Sequence, residues 1–305
     1  MARFPNPLRG RTAAAIAAAG LLFGCSAQSP APSSPSSASP SPSPSPTRPL
    51  TDPAGRAPAE LTYPMGTCGE PNAQDGSCIP VADYGALAHN LTGAQIAATW
   101  DSTQTEFDGA YTLSKPGTDA YGNAVLTTTG AASNETQVDS SNGAETRGWT
   151  QTYGIVSAAI YLPSCGGHIC SFPAFWWSSP DSRDAPAGDA NVWPKGGEFD
   201  IFESTGTGGQ SHYHADRGGN RVSSVAGTAT PLAVPGWHIF TGVWEKDYVA
   251  VYFDGVQVME YSSKAVAGNV PLELILDNSS GVAGPASADY VGWVQDYAWS
   301  GGSPD

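Results

Sequence analysis

From Leu61 to the C-terminus, apolar residues occur in short runs separated by glycine, serine, threonine and asparagine. No long stretch repeats its apolar residues with the period of a helix. The clearest element runs from Tyr248 to Tyr261, where two apolar-rich segments flank Asp254-Gly255, a strong hairpin signal. Segments 147–162 and 271–276 also have the composition of strands. Many strands joined by glycine-rich turns predict an all-β sandwich.

One segment combines large apolar residues with three acids: Glu198-Phe199-Asp200-Ile201-Phe202-Glu203. Glycines lie before and after it, which predicts a short buried strand. Burying a carboxylate is costly unless the group is paired, hydrogen-bonded or protonated, so stability alone does not explain these acids. A solvated acidic edge strand is the alternative interpretation, and the large apolar spacers disfavour it.

The spacing of the acids predicts a strand irregularity. Side chains alternate between the faces of a strand, so Glu198 and Asp200 share a face and Glu203 should point the opposite way. A one-residue bulge, with Ile201 or Phe202 as the extra residue, would return Glu203 to the shared face. The glutamates would still be about 13 Å apart in a straight strand, so the strand must bend. Retaining glycosidases need two carboxyl groups about 5–5.5 Å apart, which is the chemistry that this pattern favours.

The stretch from Trp193 to Glu203 resembles the catalytic strand of glycoside hydrolase family 16, in the bulged Glu-x-Asp-x-x-Glu form of its laminarinase-like members. Other segments resemble the family's strands in the same chain order: 153–154, 160–163, 173–176, 237–240, 243–244, 251–255, 271–276 and 289–291. The resemblance covers roughly residues 125–299. It implies a concanavalin A-like β-sandwich jelly roll with a substrate cleft on the concave sheet.

The resemblance also implies catalytic roles for the three acids. Glu198 would be the nucleophile and Glu203 the acid/base, with Asp200 between them. Glu203 must first be protonated to donate to the leaving oxygen and then ionised to activate water. Asp200, two positions from Glu198 on the same face, can hydrogen-bond the nucleophile while the glycosyl-enzyme intermediate forms and breaks.

Aromatic and imidazole side chains are the candidate substrate-binding groups. Pyranose rings present apolar C–H faces, and the resemblance favours Trp193 and Trp176 among the nine tryptophans. Trp177 should point to the face opposite Trp176. His212 and His214 share a face of the next predicted strand. We predict that one of them hydrogen-bonds the substrate or a catalytic carboxylate, and the sequence does not decide which.

No metal or cofactor is predicted to take part in the reaction. A His-x-His pair is a weak metal signal when the sequence shows no third ligand. A structural Ca²⁺ is common in folds of this kind, but no run of oxygen ligands in the chain locates one.

The N-terminus has the organisation of a bacterial lipoprotein signal. Residues 1–25 combine three arginines with an apolar run too short to span a membrane, and they end at Cys25, the expected lipidation site. Phe23 is bulkier than usual there, so cleavage and simple secretion are the alternative. Residues 26–60 are predicted to be a disordered linker, because the 28 residues after Cys25 include 10 serines and 9 prolines. Residues 61–305 then form an extracellular catalytic domain, attached to the membrane only through the lipid.

The remaining four cysteines form two close pairs, Cys68 with Cys78 and Cys165 with Cys170. An exported protein would oxidise both pairs. We therefore predict two local disulfides.

The charge of the chain bears on its partners. Removing the three arginines of the signal leaves 10 basic against 28 acidic side chains, a net charge of −18. Such a charge disfavours nucleic acid and polyanionic glycans by long-range repulsion. The predicted partner is a neutral polysaccharide, and the protein is predicted to be a monomer.

Together these features predict an endo-acting β-glycanase that hydrolyses β-1,3-glucan by double displacement, with retention of configuration. A non-catalytic lectin-like sandwich is the alternative from another class, although a binding module has no reason to bury three acids. A transglycosylase, or a hydrolase acting on agarose or mixed-linkage glucan, is also open, because subsite loops decide between these activities.

Overall fold

The computed structural model describes residues 54–61, 84–103, 112–141, 148–179, 197–204, 206, 208–215, 222–226, 236–264, 266, 271–280 and 285–299. These residues belong to one compact unit of the chain. The predicted signal and most of the predicted linker lie outside them, as do Cys25, Cys68, Cys78 and Trp193. Within these ranges, no helix is long and apolar enough to cross a membrane.

Fifteen strands and one short helix form the described part of the chain. The elements are β1 (Tyr84–Thr92), α1 (Gly93–Thr99), β2 (Thr112–Leu113), β3 (Gly117–Thr118), β4 (Ala124–Thr128), β5 (Asn134–Asp139), β6 (Gly154–Leu162), β7 (Phe172–Ser178), β8 (Glu198–Ser204), β9 (Gly209–Ala215), β10 (Val222–Ala226), β11 (Gly236–Glu245), β12 (Tyr248–Phe253), β13 (Val256–Ser262), β14 (Glu273–Ser280) and β15 (Ser287–Trp299). They form two sheets, which confirms the predicted β-sandwich.

The strand order places β8 inside the smaller sheet. The eight-stranded sheet has the order β13-β12-β11-β6-β15-β4-β3, with β1 pairing β15 off this path, and the seven-stranded sheet has the order β10-β9-β8-β7-β14-β5-β2. All of these pairings are antiparallel except that of β2 with β5. A strand with hydrogen-bonded neighbours on both sides has a fixed register, so the positions of its side chains are well determined.

The main hydrophobic core lies between the two sheets and is rich in aromatic residues. From the seven-stranded sheet, Trp177, Phe199 and Tyr213 are all at most 1% exposed, and Phe240 and Trp244 of β11 meet them from the other sheet. Trp177 packs against Trp244 with ring centroids 5.6 Å apart. Burying such side chains supplies most of the stabilisation of a two-layer sandwich.

Strand β8 contains the predicted bulge. Asp200 pairs with His212 and Glu203 with Gln210, so two residues of β8 oppose the single residue Ser211 of β9. On the other side, β7 pairs with Phe202 and Asp200 and skips Ile201, which is therefore the extra residue. The Ser211 hydroxyl donates to the Ile201 carbonyl at 2.8 Å and satisfies this acceptor within the bulge.

Both side chains of the bulge point into the core. Phe202 stacks on Phe240 of the opposite sheet with centroids 4.4 Å apart. Ile201 is 1% exposed and occupies the space left by Gly242 on β11, where a Cβ atom would lie 2.6 Å from the Ile201 Cδ1 atom. The bulge therefore depends on a missing side chain in the facing sheet.

Several element boundaries differ from the sequence-based ones. The 147–162 strand starts only at Gly154, and the 271–276 strand extends to Ser280. The hairpin agrees with its prediction, since Asp254 and Gly255 both have positive φ, at 47° and 82°. Helix α1 was not predicted, because seven residues are too short to show a helical period. Its signal was the Thr92–Gln95 capping box.

The last residues of the predicted linker are ordered. Segment 54–61 crosses the face of the eight-stranded sheet that points away from the core, where the indoles of Trp237 and Trp293 donate to the carbonyls of Ala54 and Pro58. Residues 54–60 were assigned to the linker together with the Ser/Pro-rich stretch before them, and Leu61 was assigned to the domain. They are held instead through their backbone carbonyls, which composition does not report.

A methyl group at Gly242 should destabilise the sandwich. In Gly242→Ala the new Cβ would overlap Ile201 and lie 3.3 Å from Phe199, so we expect a loss of about 1–3 kcal/mol in the free energy of unfolding. Urea denaturation measures it. The matched control is Gly117→Ala, where the nearest atom would be 3.8 Å away and the change should stay within about 0.5 kcal/mol. Equal losses in the two variants would contradict the close packing of the bulge.

Candidate active site

The three acids of β8 project from the face of the seven-stranded sheet that points away from the core, which we call the carboxylate face. The side chain of Asp200 is 5% exposed, that of Glu198 is 11% and that of Glu203 is 21%. Phe199, between the first two acids, faces the core and is fully buried. The bulge thus brings all three carboxylates to one side, as the spacing predicted.

His212 and His214 lie among these carboxylates. The Nδ1 atom of His212 is 2.7 Å from Glu203 Oε2 and 4.0 Å from Asp200 Oδ2. The Nε2 atom of His214 is 3.1 Å from Asp200 Oδ2 and 3.7 Å from Glu198 Oε1. Each imidazole therefore lies between two acids, in the order Glu198, His214, Asp200, His212, Glu203.

This order follows from the pairing of β8 with β9. In the register, Glu198 is opposite His214 and Asp200 is opposite His212. Each histidine nevertheless comes closest to the acid one step further along β8, a diagonal contact that long side chains in adjacent strands can make. The sequence left open which histidine faces the site, and the structure brings both to it.

Trp176 on β7 extends the site to the next strand. It pairs with Asp200 in the ladder, is 7% exposed and donates its indole N–H to Asp277 Oδ2 on β14 at 2.8 Å. Trp177 is fully buried in the core, which confirms that the two tryptophans face opposite ways. That Trp176 contacts a sugar stays a prediction.

Asp277 is an acid of this site that the sequence analysis missed. It shares a cross-strand row with Ala174 and Glu203, and Ala174 contributes only a methyl group between the two acids. Burial raises the pKa of Asp277 well above 3.8, with nearby Glu135 as the next cause, and Glu203 and Asp289 as smaller ones. The hydrogen bond from Trp176 acts in the opposite direction. The only sequence signal was an acid after the apolar run 274–276, a weak one.

The disulfide Cys165–Cys170 lies in the loop between β6 and β7, as predicted. The bridged loop also donates a hydrogen bond from the Ile169 amide to the Gly206 carbonyl, 2.9 Å away. It therefore contacts the chain at Gly206, two residues after the end of β8 and three after Glu203. The second predicted pair, Cys68–Cys78, lies outside the described residues.

The one cluster of side-chain metal ligands among the described residues does not suit Ca²⁺. Within the described ranges, the one group of three acidic or imidazole ligands is Asp200, His212 and His214, whose ligand atoms lie within 4.8 Å of one another. Calcium takes six to eight oxygen ligands, which two imidazoles do not supply. The structural Ca²⁺ allowed by the resemblance is not located here, and no chemical step is assigned to it.

Chemically, the arrangement offers acids in different environments. Glu198 and Asp200 are deeply buried, whereas Glu203 is the most exposed acid of the row and is hydrogen-bonded to His212. A buried carboxylate beside an accessible one that can exchange a proton is the set required for nucleophilic attack combined with acid/base catalysis.

Comparison with solved structures finds similar folds among laminarinases and related glucanases. LamAcat from Zobellia galactanivorans has a TM-score of 0.55 and 17% sequence identity, covering 71% of this chain and 99% of that one. The laminarinase catalytic domain from Thermotoga maritima MSB8 has a TM-score of 0.53 at 18% identity, covering 71% and 98%. SCLam, a non-specific endo-β-1,3(4)-glucanase from family GH16, has a TM-score of 0.52 at 19% identity, covering 72% and 92%.

These likenesses show the fold: the chain has a β-sandwich similar to those of these laminarinases and of a GH16 glucanase. No protein-family model matches the chain, and no curated protein matches it either. The fold agrees with the expectation from the sequence resemblance.

Asp277→Asn tests how much the ionisation of Asp277 lowers the free energy of unfolding. The pKa of Asp277 is raised in the folded state, so its ionisation opposes folding: stability is highest below the unfolded value near 3.8 and falls as the pH rises towards the folded value. Asparagine keeps the shape and an acceptor for Trp176 but cannot ionise. We expect the variant to be more stable than wild type at pH 8, by about 1 kcal/mol or more, and nearly equal at pH 4.

Urea denaturation at a series of pH values measures this difference. Glu260→Gln, which removes one exposed acid on β13, is the charge-matched control and should leave the pH dependence of stability unchanged. Parallel stability profiles for wild type and Asp277→Asn would show that Asp277 ionises without cost.

Proposed function

We propose that the protein is an endo-acting β-glucanase that hydrolyses β-1,3-glucan with retention of configuration. The observation that carries the proposal is the bulge at Ile201, which brings Glu198, Asp200 and Glu203 to one face of the sheet. Three largely buried acids in a row cost stability, and catalysis gives them a purpose that glycan binding alone does not. The likeness of the fold to laminarinases supports the substrate class.

In the first step of the proposed mechanism, Glu198 attacks the anomeric carbon and forms a glycosyl-enzyme intermediate. Its low exposure removes competing water, which favours a carboxylate as nucleophile. Glu203 protonates the oxygen of the departing chain. As the most exposed acid of the row, it is the one that a leaving group and an incoming water can reach.

In the second step, Glu203 takes a proton from water, which attacks the intermediate and releases Glu198. His212 supports both halves of this cycle. When Glu203 is protonated it can donate to Nδ1 of His212, and when it is ionised a protonated Nδ1 can donate to it across the same 2.7 Å contact. Asp200 has the equivalent relation to His214, at 3.1 Å, and holds that ring beside Glu198.

A neutral polysaccharide fits the charge of this region. The carboxylate face joins the three acids of β8 to Asp277, and the chain as a whole has 28 acidic against 13 basic side chains. A sulfated or uronic glycan would be repelled. Reducing-sugar release from laminarin, mixed-linkage glucan and agarose identifies the substrate, and product analysis separates hydrolysis from transglycosylation.

We also propose that the protein works outside the cell, held by a lipid on Cys25. The lipoprotein-like signal and the Ser/Pro-rich stretch support this location. Segment 54–61, which follows the Ser/Pro-rich stretch, packs on the side of the sandwich away from the carboxylate face. Incorporation of labelled palmitate into wild type but not Cys25→Ser tests the anchor.

Substitution of the two glutamates tests their roles. Glu198→Gln and Glu203→Gln should each lower turnover on laminarin by at least about 10²–10⁴-fold while the near-UV circular dichroism stays native. Glu198→Ala should regain activity with azide or an α-glycosyl fluoride, because either replaces the missing nucleophile. Substantial activity of Glu203→Gln on unactivated polysaccharide would refute the acid/base role. Glycan binding by an inactive wild type would favour the lectin-like alternative.

Two single-residue deletions test the geometry of β8. Deleting Ile201 removes the extra residue and leaves the three acids on one face, so activity should persist at reduced stability, with a loss of about 2–5 kcal/mol for one large core side chain. Deleting Phe199 removes a comparable side chain but turns Glu198 towards the core, so activity should vanish. Specific activity is compared per folded molecule. Loss of activity in both deletions, with both proteins folded, would contradict the bulge as the determining feature.

A further inference from the structure

The described residues contain histidines paired with acids at three places. His89 contacts Asp296 at 2.9 Å, and His238 contacts Asp254 at 2.8 Å. Only on the carboxylate face do two histidines share one carboxylate among the residues described, since both imidazoles of β9 approach Asp200 Oδ2. We propose that Asp200, His212 and His214 form a binding site for a divalent transition-metal ion such as Zn²⁺, and that the bound ion inhibits the enzyme.

The distances suit a small ion. Zinc binds imidazole nitrogen at about 2.0–2.1 Å and carboxylate oxygen at about 2.0–2.2 Å, so tetrahedral ligand atoms lie roughly 3.3 Å apart. Asp200 Oδ2 is 3.1 Å from His214 Nε2 and 4.0 Å from His212 Nδ1. The shorter separation already fits, and the longer needs a closure of less than about 1 Å. The two imidazole nitrogens are at most 4.8 Å apart and need a closure of at most about 1.5 Å, which rotation of the rings can supply. All three ligand atoms lie within 4.8 Å of one another.

The backbone holds these ligands in place before any ion arrives. Asp200 and His212 are direct partners in the β8–β9 ladder, and His214 lies two residues along the same face. Both strands have neighbours on each side in the sheet. A site on rigid, paired strands loses little conformational entropy on binding, which favours affinity.

The surroundings favour a dication and leave room for a fourth ligand. Glu203 Oε2 is 2.7 Å from His212 Nδ1, and Glu198 Oε1 is 3.7 Å from His214 Nε2, so a carboxylate lies at each end of the cluster. Either oxygen, or water, can complete a tetrahedral set. Two imidazoles and a carboxylate suit zinc, copper, nickel or iron, whereas Mg²⁺ and Ca²⁺ prefer oxygen ligands alone.

The inhibitory half of the proposal rests on the proposed function. A bound ion would be coordinated by the His212 nitrogen that now contacts Glu203. It would also be coordinated by the Asp200 oxygen that now contacts His214. It also places positive charge between the two glutamates that the mechanism uses. Neither glutamate then keeps the partners required for its step, so turnover should fall as the site fills.

Isothermal titration calorimetry of the untagged protein with Zn²⁺ measures binding at the site directly, and the measurement does not depend on enzymatic activity. We expect one tight site in wild type and no comparable binding of Mg²⁺. His214→Ala and His212→Gln should each weaken Zn²⁺ binding by more than the about 10- to 100-fold that loss of an outer hydrogen-bond partner costs. The matched control is His238→Ala, which breaks a two-ligand His–Asp pair elsewhere and should keep the wild-type affinity.

A second measurement follows laminarin hydrolysis with increasing Zn²⁺, and then with added EDTA. Inhibition that follows the calorimetric binding curve, and its reversal by EDTA, would support the inhibitory role. Unchanged Zn²⁺ affinity in both His214→Ala and His212→Gln would overturn the proposed metal site. Loss of Zn²⁺ affinity in His238→Ala would overturn it as well. Tight binding by a protein that hydrolyses none of the glucans would retain the site and reject the proposed function, so the two failures are distinguishable.

Discussion

The contact between Ile201 of β8 and the bare backbone of Gly242 on β11 is the constraint on which the carboxylate face depends. A bulge places two consecutive side chains on one side of the strand, and in this sandwich that side is the core. Phe202 finds an aromatic partner in Phe240, whereas Ile201 needs a position in the opposite sheet with no side chain at all. Without that space Ile201 would have to leave the core. The residues of β8 before it, Glu198 and Asp200 among them, could then turn to the opposite face of the sheet.

The same geometry concentrates charge that the fold must tolerate. Three acids lie on one face of β8, and Asp277 lies two strands away in the cross-strand row of Glu203. The two imidazoles and the Trp176 indole lie among these acids and hydrogen-bond or contact them. These groups come from the neighbouring strands β9 and β7, so the partners of the acids are set by the register of the sheet. Burial is the main cause that raises the pKa of Asp277, and nearby Glu135 raises it further.

How far the sequence could predict this site depends on which rule governs each residue. Alternation along a strand is strict, so Glu203 could be brought to the face of Glu198 only by a bulge, and Trp176 and Trp177 had to separate. Partners across strands follow a different rule, because they need the register, which the sequence does not state. Asp277 and the diagonal reach of both histidines were therefore not predictable. Helix α1 and segment 54–61 were not predicted for a third reason. Both are short, and they are held by a helix cap or by backbone carbonyls, which neither the hydrophobic pattern nor the composition reports.

The register of β8 and β9 places His212 and His214 where both proposed roles, proton exchange with an acid and metal binding, are geometrically possible. A Glu-x-Asp strand paired with a His-x-His strand sets acid opposite imidazole at every second residue, whatever the purpose of the pairing. At such spacing, a nitrogen close enough to exchange a proton with one acid is also close enough to share a metal ion with another. Proton exchange and metal binding require the same lone pair on the ring nitrogen, so they exclude each other at a given moment. Imidazoles set between carboxylates therefore also form a ligand set for a transition metal, and the position of the Asp200 carboxylate affects how closely the ligands can surround an ion.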